Sequence, residues 1–226
     1  MKVLIFIDSK NFERGINNLS EKQKIFRYVD YYKINKFILD YLNNNPQYSN
    51  ITLSHLRTYL YTGEFTDKLI QKIEKYCDLN SEKNILLKNL LEKCKKEQQI
   101  QIEFFRRAKS YYFFEIRAKP LQFSPSDTRV FQKGVDVQLA VDIVDFTHKN
   151  LFDVAVILSG DIDLLESIKT TKSLGKHVIL FGDTSVTAEE MKREADIFID
   201  VGRFTEEQLN KFTHVAKIIR EDNKLK

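Results

Sequence analysis

Residues 154–201, VAVILSGDIDLLESIKTTKSLGKHVILFGDTSVTAEEMKREADIFIDV, decide the fold. Short apolar runs at Val154–Leu158, His177–Phe181 and Ile197–Val201 alternate with segments of helical spacing at Ile162–Leu174 and Ala188–Glu194. Strands separated by helices in this rhythm read as parallel βαβ units, hence a doubly wound sheet. The first run stops at Ser159-Gly160-Asp161. Asp is depleted in strand interiors and costly to bury unpaired, so an apolar run that ends in Asp delivers its carboxylate to the C-terminal rim. That rim is where open α/β sheets bind ligands.

The same grammar extends outward. Val3–Ile7 is a β-branched run fit for a central strand, and Asp8 follows it, turning into a helix that carries Asn11. Gly134 precedes Asp136, which opens a helix running to about Lys149, a position where the dipole favours a carboxylate. A helix is expected over Tyr31–Leu42 and a strand over Ile51–Thr62. Phe65–Ala108 is rich in Lys, Glu, Gln and Leu, without Pro or Gly, and reads as a helical hairpin with Ser81 as N-cap of its second arm. Tyr111–Ile116 returns to strand character, Lys119–Val130 reads as a loop, and Glu206–Ile219 as a final helix. The expected organisation is one domain over 1–222 with 64–110 as a helical insertion, and a charged tail at 223–226.

With 226 residues, 42% hydrophobic and 12% aromatic, the chain has material for an ordinary packed core and is not a disordered protein. The formal charge of +4, from 36 basic and 32 acidic residues, is compatible with a nucleic-acid partner without demanding one. Cys77 and Cys94 are too few for a disulfide framework, which points to a reducing interior. The opening MKVLIFID is too short to span a membrane and has no small-residue cleavage pattern, so a cytoplasmic protein with no membrane partner is expected. The four histidines (His55, His148, His177, His214) lack zinc-ligand spacing.

Four carboxylates, Asp8, Asp136, Asp161 and Asp163, thus stand at the ends of three elements. Converging acids repel one another unless a cation sits among them, and oxygen-only ligands suit Mg²⁺ or Mn²⁺. Such a site hydrolyses phosphodiesters. Each Asp alone has a plainer role: Asp161 as a helix N-cap, Asp136 as partner of a helix dipole. Three such segments in one chain, with a second carboxylate at Asp163, exceed what capping requires. Asn11 either holds a ligand or water in place or makes a helix-start hydrogen bond, and Ser159 bonds a rim carboxylate or serves its turn. Asp142, six residues past Asp136 on a helix, is rotated away from it and reads as a supporting or structural carboxylate. Lys10, Arg129 and Lys133 lie close to rim segments and suit phosphate contacts. Arg106 and Arg107, with Lys109, Tyr111 and Tyr112 beside them, offer cations and stacking faces for single-stranded RNA, or else a solvated helix face.

IDSKN, KGVDVQLAVDI, LSGDIDL and ADIFIDV, in this order and spacing, resemble the NYN domain of the PIN-like nuclease superfamily, within the LabA-like group. The resemblance covers residues 1–62 and about 110–202. It implies a PIN-like, Rossmann-like α/β fold with a mostly parallel sheet flanked by helices, and a Mg²⁺- or Mn²⁺-dependent ribonuclease. By position it implies Asp8, Asp136, Asp161 and Asp163 as the acidic metal site, supported by Asn11 and Lys133. The chain departs from the family pattern at Ser9-Lys10, where a Gly is common, and at Leu164, where an aromatic is common; residues 64–110 do not match the family core.

The expected activity is endoribonucleolytic hydrolysis of single-stranded or looped RNA. The rival is a silent RNA-binding or protein-interaction module whose working part is the hairpin, which is also a candidate surface for homo-oligomerisation through its Leu-rich face. A haloacid-dehalogenase-type phosphatase requires Asp-x-Asp after the first strand, a dinucleotide enzyme requires G-x-G-x-x-G, and a receiver domain requires a lone phosphoacceptor Asp. The chain has none of these patterns.

Overall fold

The computed structural model describes residues 1–23, 25–48, 50–79 and 84–215. Its centre is a six-stranded sheet of β1 (Lys2–Asp8), β3 (Ser54–Glu64), β4 (Phe114–Pro120), β7 (Val154–Leu158), β8 (His177–Gly182) and β9 (Ile197–Asp200). The order is β4-β3-β1-β7-β8-β9, and every pairing is parallel. From β1 the chain builds outward to β3 and β4, then crosses to β7 and builds the other way. The β1/β7 junction is therefore the topological switch point, and the crevice beyond its C-terminal ends is the natural ligand site.

Strand alternation sorts the apolar residues into two cores. Val3, Ile5, Ile7, Val156, Leu158, Ile179 and Phe181 face one side. There α1 (Ser9–Gln23), α2 (Ile34–Asn43) and α8 (Glu206–Asn210) cover them through Phe12, Ile16, Phe37, Ile38 and Leu209. Leu4, Phe6, Ala155, Ile157, Val178 and Leu180 face the other side, against α5 (Val135–His148), α6 (Leu165–Ser173) and α7 (Glu189–Glu194). All five residues of β7 are buried, as a central strand covered on both faces requires. The insertion forms α3 (Asp67–Leu79) and α4 (Asn84–Ala108), with a small core of its own: Leu69, Ile70, Ile73, Cys77, Leu87 and Cys94 around Phe123. Both cysteines are free and buried.

Three expectations differ from the structure. Lys119–Val130 is not all loop: β5 (Gln122–Ser124) and β6 (Arg129–Phe131) form an antiparallel hairpin across a turn in which Thr128 takes φ 50°. Such three-residue strands are too short to show alternation. The last helix stops at Asn210 instead of reaching Ile219. Thr213–Val215 is β10, paired antiparallel with β2 (Arg27–Val29). Arg27 joins the two, its Nη1 donating to Asn210 Oδ1 at 2.6 Å and to Thr213 Oγ1 at 3.2 Å, a long-range contact that overrides local helical spacing. The strand expected at Tyr111 begins only at Phe114. Ser81, residues 216–219 of the expected helix and the tail at 223–226 lie outside the described residues. Among the described residues no helix is long and apolar enough to cross a membrane.

Candidate functional site

The three rim elements bring Asp8, Asp136 and Asp161 together, one carboxylate oxygen from each lying within 4.8 Å of the others. Asp8 is the last residue of β1 and is 2% exposed. Its Oδ1 accepts from the Asn11 backbone N–H (3.1 Å) and its Oδ2 from the Ser159 hydroxyl (3.0 Å). Ser159 Oγ in turn accepts from Asp161 N–H at 3.2 Å, and Gly160 N–H donates to Asn11 Oδ1 at 2.7 Å. Asn11 thus joins the start of α1 to the loop after β7, so that the two halves of the switch point are held in register.

Asp161 performs both roles open to it: it N-caps the 3₁₀ turn Ile162–Leu164, accepting from Asp163 N–H at 3.2 Å, and a carboxylate oxygen of the same residue joins the cluster. Gly160 is required by space. A Cβ there would lie 2.6 Å from the Thr187 Cα, because the turn after β8 packs directly against it. Gly134 is required by backbone conformation. It caps α5 at φ 76°, a left-handed geometry that side-chain-bearing residues resist, and so aims Asp136 at the rim from the first turn of the helix.

Burial, opposed by the hydrogen bonds from Asn11 and Ser159 and reinforced by the charges of Asp136 and Asp161, pushes the Asp8 carboxyl up to about 6. Burial and the Asp161 charge also raise Asp136, while Lys10 opposes the rise. Three hard oxygen donors that repel one another in this way form a donor set suited to Mg²⁺ or Mn²⁺ and unsuited to a soft metal.

Asp163 lies exposed just outside the three-oxygen group, close enough for its charge to be felt at Asp136. Asp142 faces elsewhere: its Oδ2 accepts from Tyr61 Oη (2.9 Å) and pairs with Arg117 Nη1 (2.6 Å), whose guanidinium lies over the Tyr59 ring. Lys133 is exposed at the approach to α5. Arg129 lies near the site on β6, paired with Asp127 at 3.2 Å. Arg106 and Arg107 are exposed in the last turn of α4, and Arg107 faces the cavity above the acids.

Sequence reading missed Glu13. It sits on α1 one turn beyond Ser9 and lines the same cavity, its Oε1 accepting from Ser9 Oγ at 3.3 Å and from the buried Tyr31 hydroxyl. Burial raises its carboxyl above the ordinary range. The spacing from Ser9 to Glu13, four residues on one helix face, was visible in the sequence; the Tyr31 partner was not.

The profile of the family described as NYN domain matches residues 2–206. No curated protein matches the chain. A crystal structure of a protein of unknown function from Vibrio parahaemolyticus is similar in fold, with a TM-score of 0.52 at 16% identity, over 94% of this chain and 96% of that one. A parallel sheet with an acidic cluster at its switch point, together with a family match over nearly the whole chain, identifies the protein as a member of the NYN domain family of the PIN-like nuclease superfamily.

Proposed function

We propose that the chain is a metal-dependent endoribonuclease of the LabA-like group, acting on single-stranded or looped RNA. The observation that carries this reading is the convergence of Asp8, Asp136 and Asp161 from β1, α5 and the β7 loop within 4.8 Å. These three would hold Mg²⁺ or Mn²⁺, with Asp163 adjacent. The chemistry available from such a bound ion is a water made acidic enough to attack at neutral pH and compensation of charge on the phosphate.

The protein's own part is positioning. Ser159 and Asn11 tie the Asp8 carboxylate to the backbone of the Gly160-Asp161 turn across the switch point. Lys10, beside Asp136, Arg129 on the cavity wall and Lys133, three residues before Asp136 in the chain, supply positive charge for the phosphates flanking the scissile bond. Residues 1–222 are read as one domain working in the cytoplasm, with 64–110 as its insertion and a candidate surface for self-association.

The test is incubation of wild-type and Asp161→Asn protein with a labelled structured RNA and the matching DNA, in Mg²⁺, Mn²⁺ or EDTA. Metal-dependent RNA cleavage by the wild type alone is expected. Equal cleavage by the variant would remove Asp161 from the site. RNA binding without cleavage by either protein would favour a silent binding module.

A further inference from the structure

The cavity over the acidic cluster has a volume of about 1740 Å³, well beyond the roughly 300–1,000 Å³ of small-molecule sites. Its walls are α1 and the inserted α4, and it reaches from Asp8, Asp136 and Asp161 to Arg107 near the end of α4. Along α4, Lys93, Lys96, Ile100, Phe104 and Arg107 all face it, at intervals of three or four residues that form a single helical stripe. At 1.5 Å per residue the stripe from Lys93 to Arg107 is about 21 Å long. Arg14 answers it from α1.

These cations are uncommitted. Among the described residues none of Arg14, Lys93, Lys96 and Arg107 makes an ion pair, whereas Lys95, on the same helix but turned to α3, pairs with Glu74 at 2.6 Å. The carboxylates lining the cavity beyond the acidic cluster are mostly committed. Glu13 accepts from Ser9 and Tyr31, and Asp30 pairs with Lys33 (3.3 Å) and meets His214 (2.7 Å), leaving Glu97. Two aromatic faces open onto the same cavity between these walls: Tyr28 on β2 is 67% and Tyr32, in the turn before α2, 56% exposed, with the Tyr111 ring 5.1 Å from that of Tyr32.

An elongated groove with unpaired cations on both walls and exposed rings complements a polyanion carrying flat bases. We infer that the α1–α4 groove is the path of the RNA single strand flanking the scissile phosphate, and that the inserted helix α4 is the wall that selects an unpaired strand. This inference rests on the nuclease reading for its substrate, and extends it to residues outside the acidic cluster.

The test is fluorescence anisotropy in EDTA, where binding is read without cleavage, using a labelled oligouridylate and an RNA duplex of equal length. The proteins are the wild type, the double variant Lys93→Glu/Lys96→Glu, Tyr32→Ala, and Lys169→Glu as a control on α6, where Lys169 pairs with Glu166 outside the groove. Both groove lysines are exposed, so melting curves should show an intact fold. The double variant is expected to bind the single strand at least tenfold more weakly. Its slope of log affinity against log salt should flatten by about 1.4, at about 0.7 per lost phosphate contact on a single strand. Tyr32→Ala should weaken binding with little change in that slope, and the control should match wild type. Wild-type affinity for the double variant, equal weakening by the control, or tighter binding of duplex than of single strand would each overturn the assignment. If the wild type cleaves RNA while the double variant binds as the wild type does, the groove assignment alone fails. If groove variants lose binding but the wild type cleaves nothing in Mg²⁺ or Mn²⁺, the nuclease reading alone fails.

Discussion

At the scale of the residue, Asp8 is where function opposes stability. Its folded-state pKa of about 6 lies above the ordinary 3.8, so the fold favours the protonated form. The stability contributed by this group is full below about pH 4 and is lost as pH rises towards 6. Above that, the metal-free protein carries a cost of about 3 kcal/mol. Asp8→Asn removes the charge while keeping an acceptor for Asn11 N–H, and should abolish cleavage. In EDTA at neutral pH it should raise the melting temperature by about 2–12 °C, from a gain of about 1–3 kcal/mol. The difference should close as melts are repeated towards pH 4; a variant that melts below wild type at neutral pH would contradict the origin assigned to the shift. The sequence shows Asp8 as a rim carboxylate because the residue type and the end of an apolar run are local facts. Its raised pKa comes from burial in the packed switch point, with the charges of Asp136 and Asp161 adding to it, and the Ser159 hydroxyl that partly offsets the rise is 151 residues away.

Among elements, the insertion carries its own core, and its energetics should be separable from those of the sheet. Ile73 and Leu87 are fully buried between α3 and α4, remote from β1 and β7 in packing. Truncating either to Ala should cost about 2–5 kcal/mol. Hydrogen exchange should then show protection falling across α3 and α4 while β1 and β7 keep theirs, the behaviour of a local cooperative unit. Uniform loss across the sheet would show that hairpin and sheet unfold as one. The hairpin was legible because an uninterrupted stretch with helical spacing and no Pro or Gly has few alternatives. The β2–β10 ribbon and the β5–β6 hairpin were not. Each strand has three residues, below the length at which a period of two can be told from chance, and β2 and β10 exist through pairing across more than 180 residues of chain.

At the scale of the molecule, three mutually repelling carboxylates stabilise the fold only when something neutralises them. Adding Mn²⁺ should raise the melting temperature of the wild type and leave that of Asp161→Asn nearly unmoved, since a ligand that binds only the folded state stabilises in proportion to its occupancy. Binding must displace the Asp8 proton, so apparent metal affinity should fall by about tenfold per pH unit below pH 6, measurable by titration calorimetry. Affinity independent of pH across that range would place the ion elsewhere. The sequence by itself determined the parallel α/β sheet and the acidic residues at its rim, because strand and helix periods and run-ending carboxylates are written in neighbouring residues. Only the tertiary structure decided which carboxylates meet. It gathers Asp8, Asp136 and Asp161, leaves Asp163 at the edge and Asp142 with Tyr61 and Arg117, and turns the inserted helix into a wall of the groove. Those outcomes depend on strand order and helix rotation, set by packing between residues far apart in the chain.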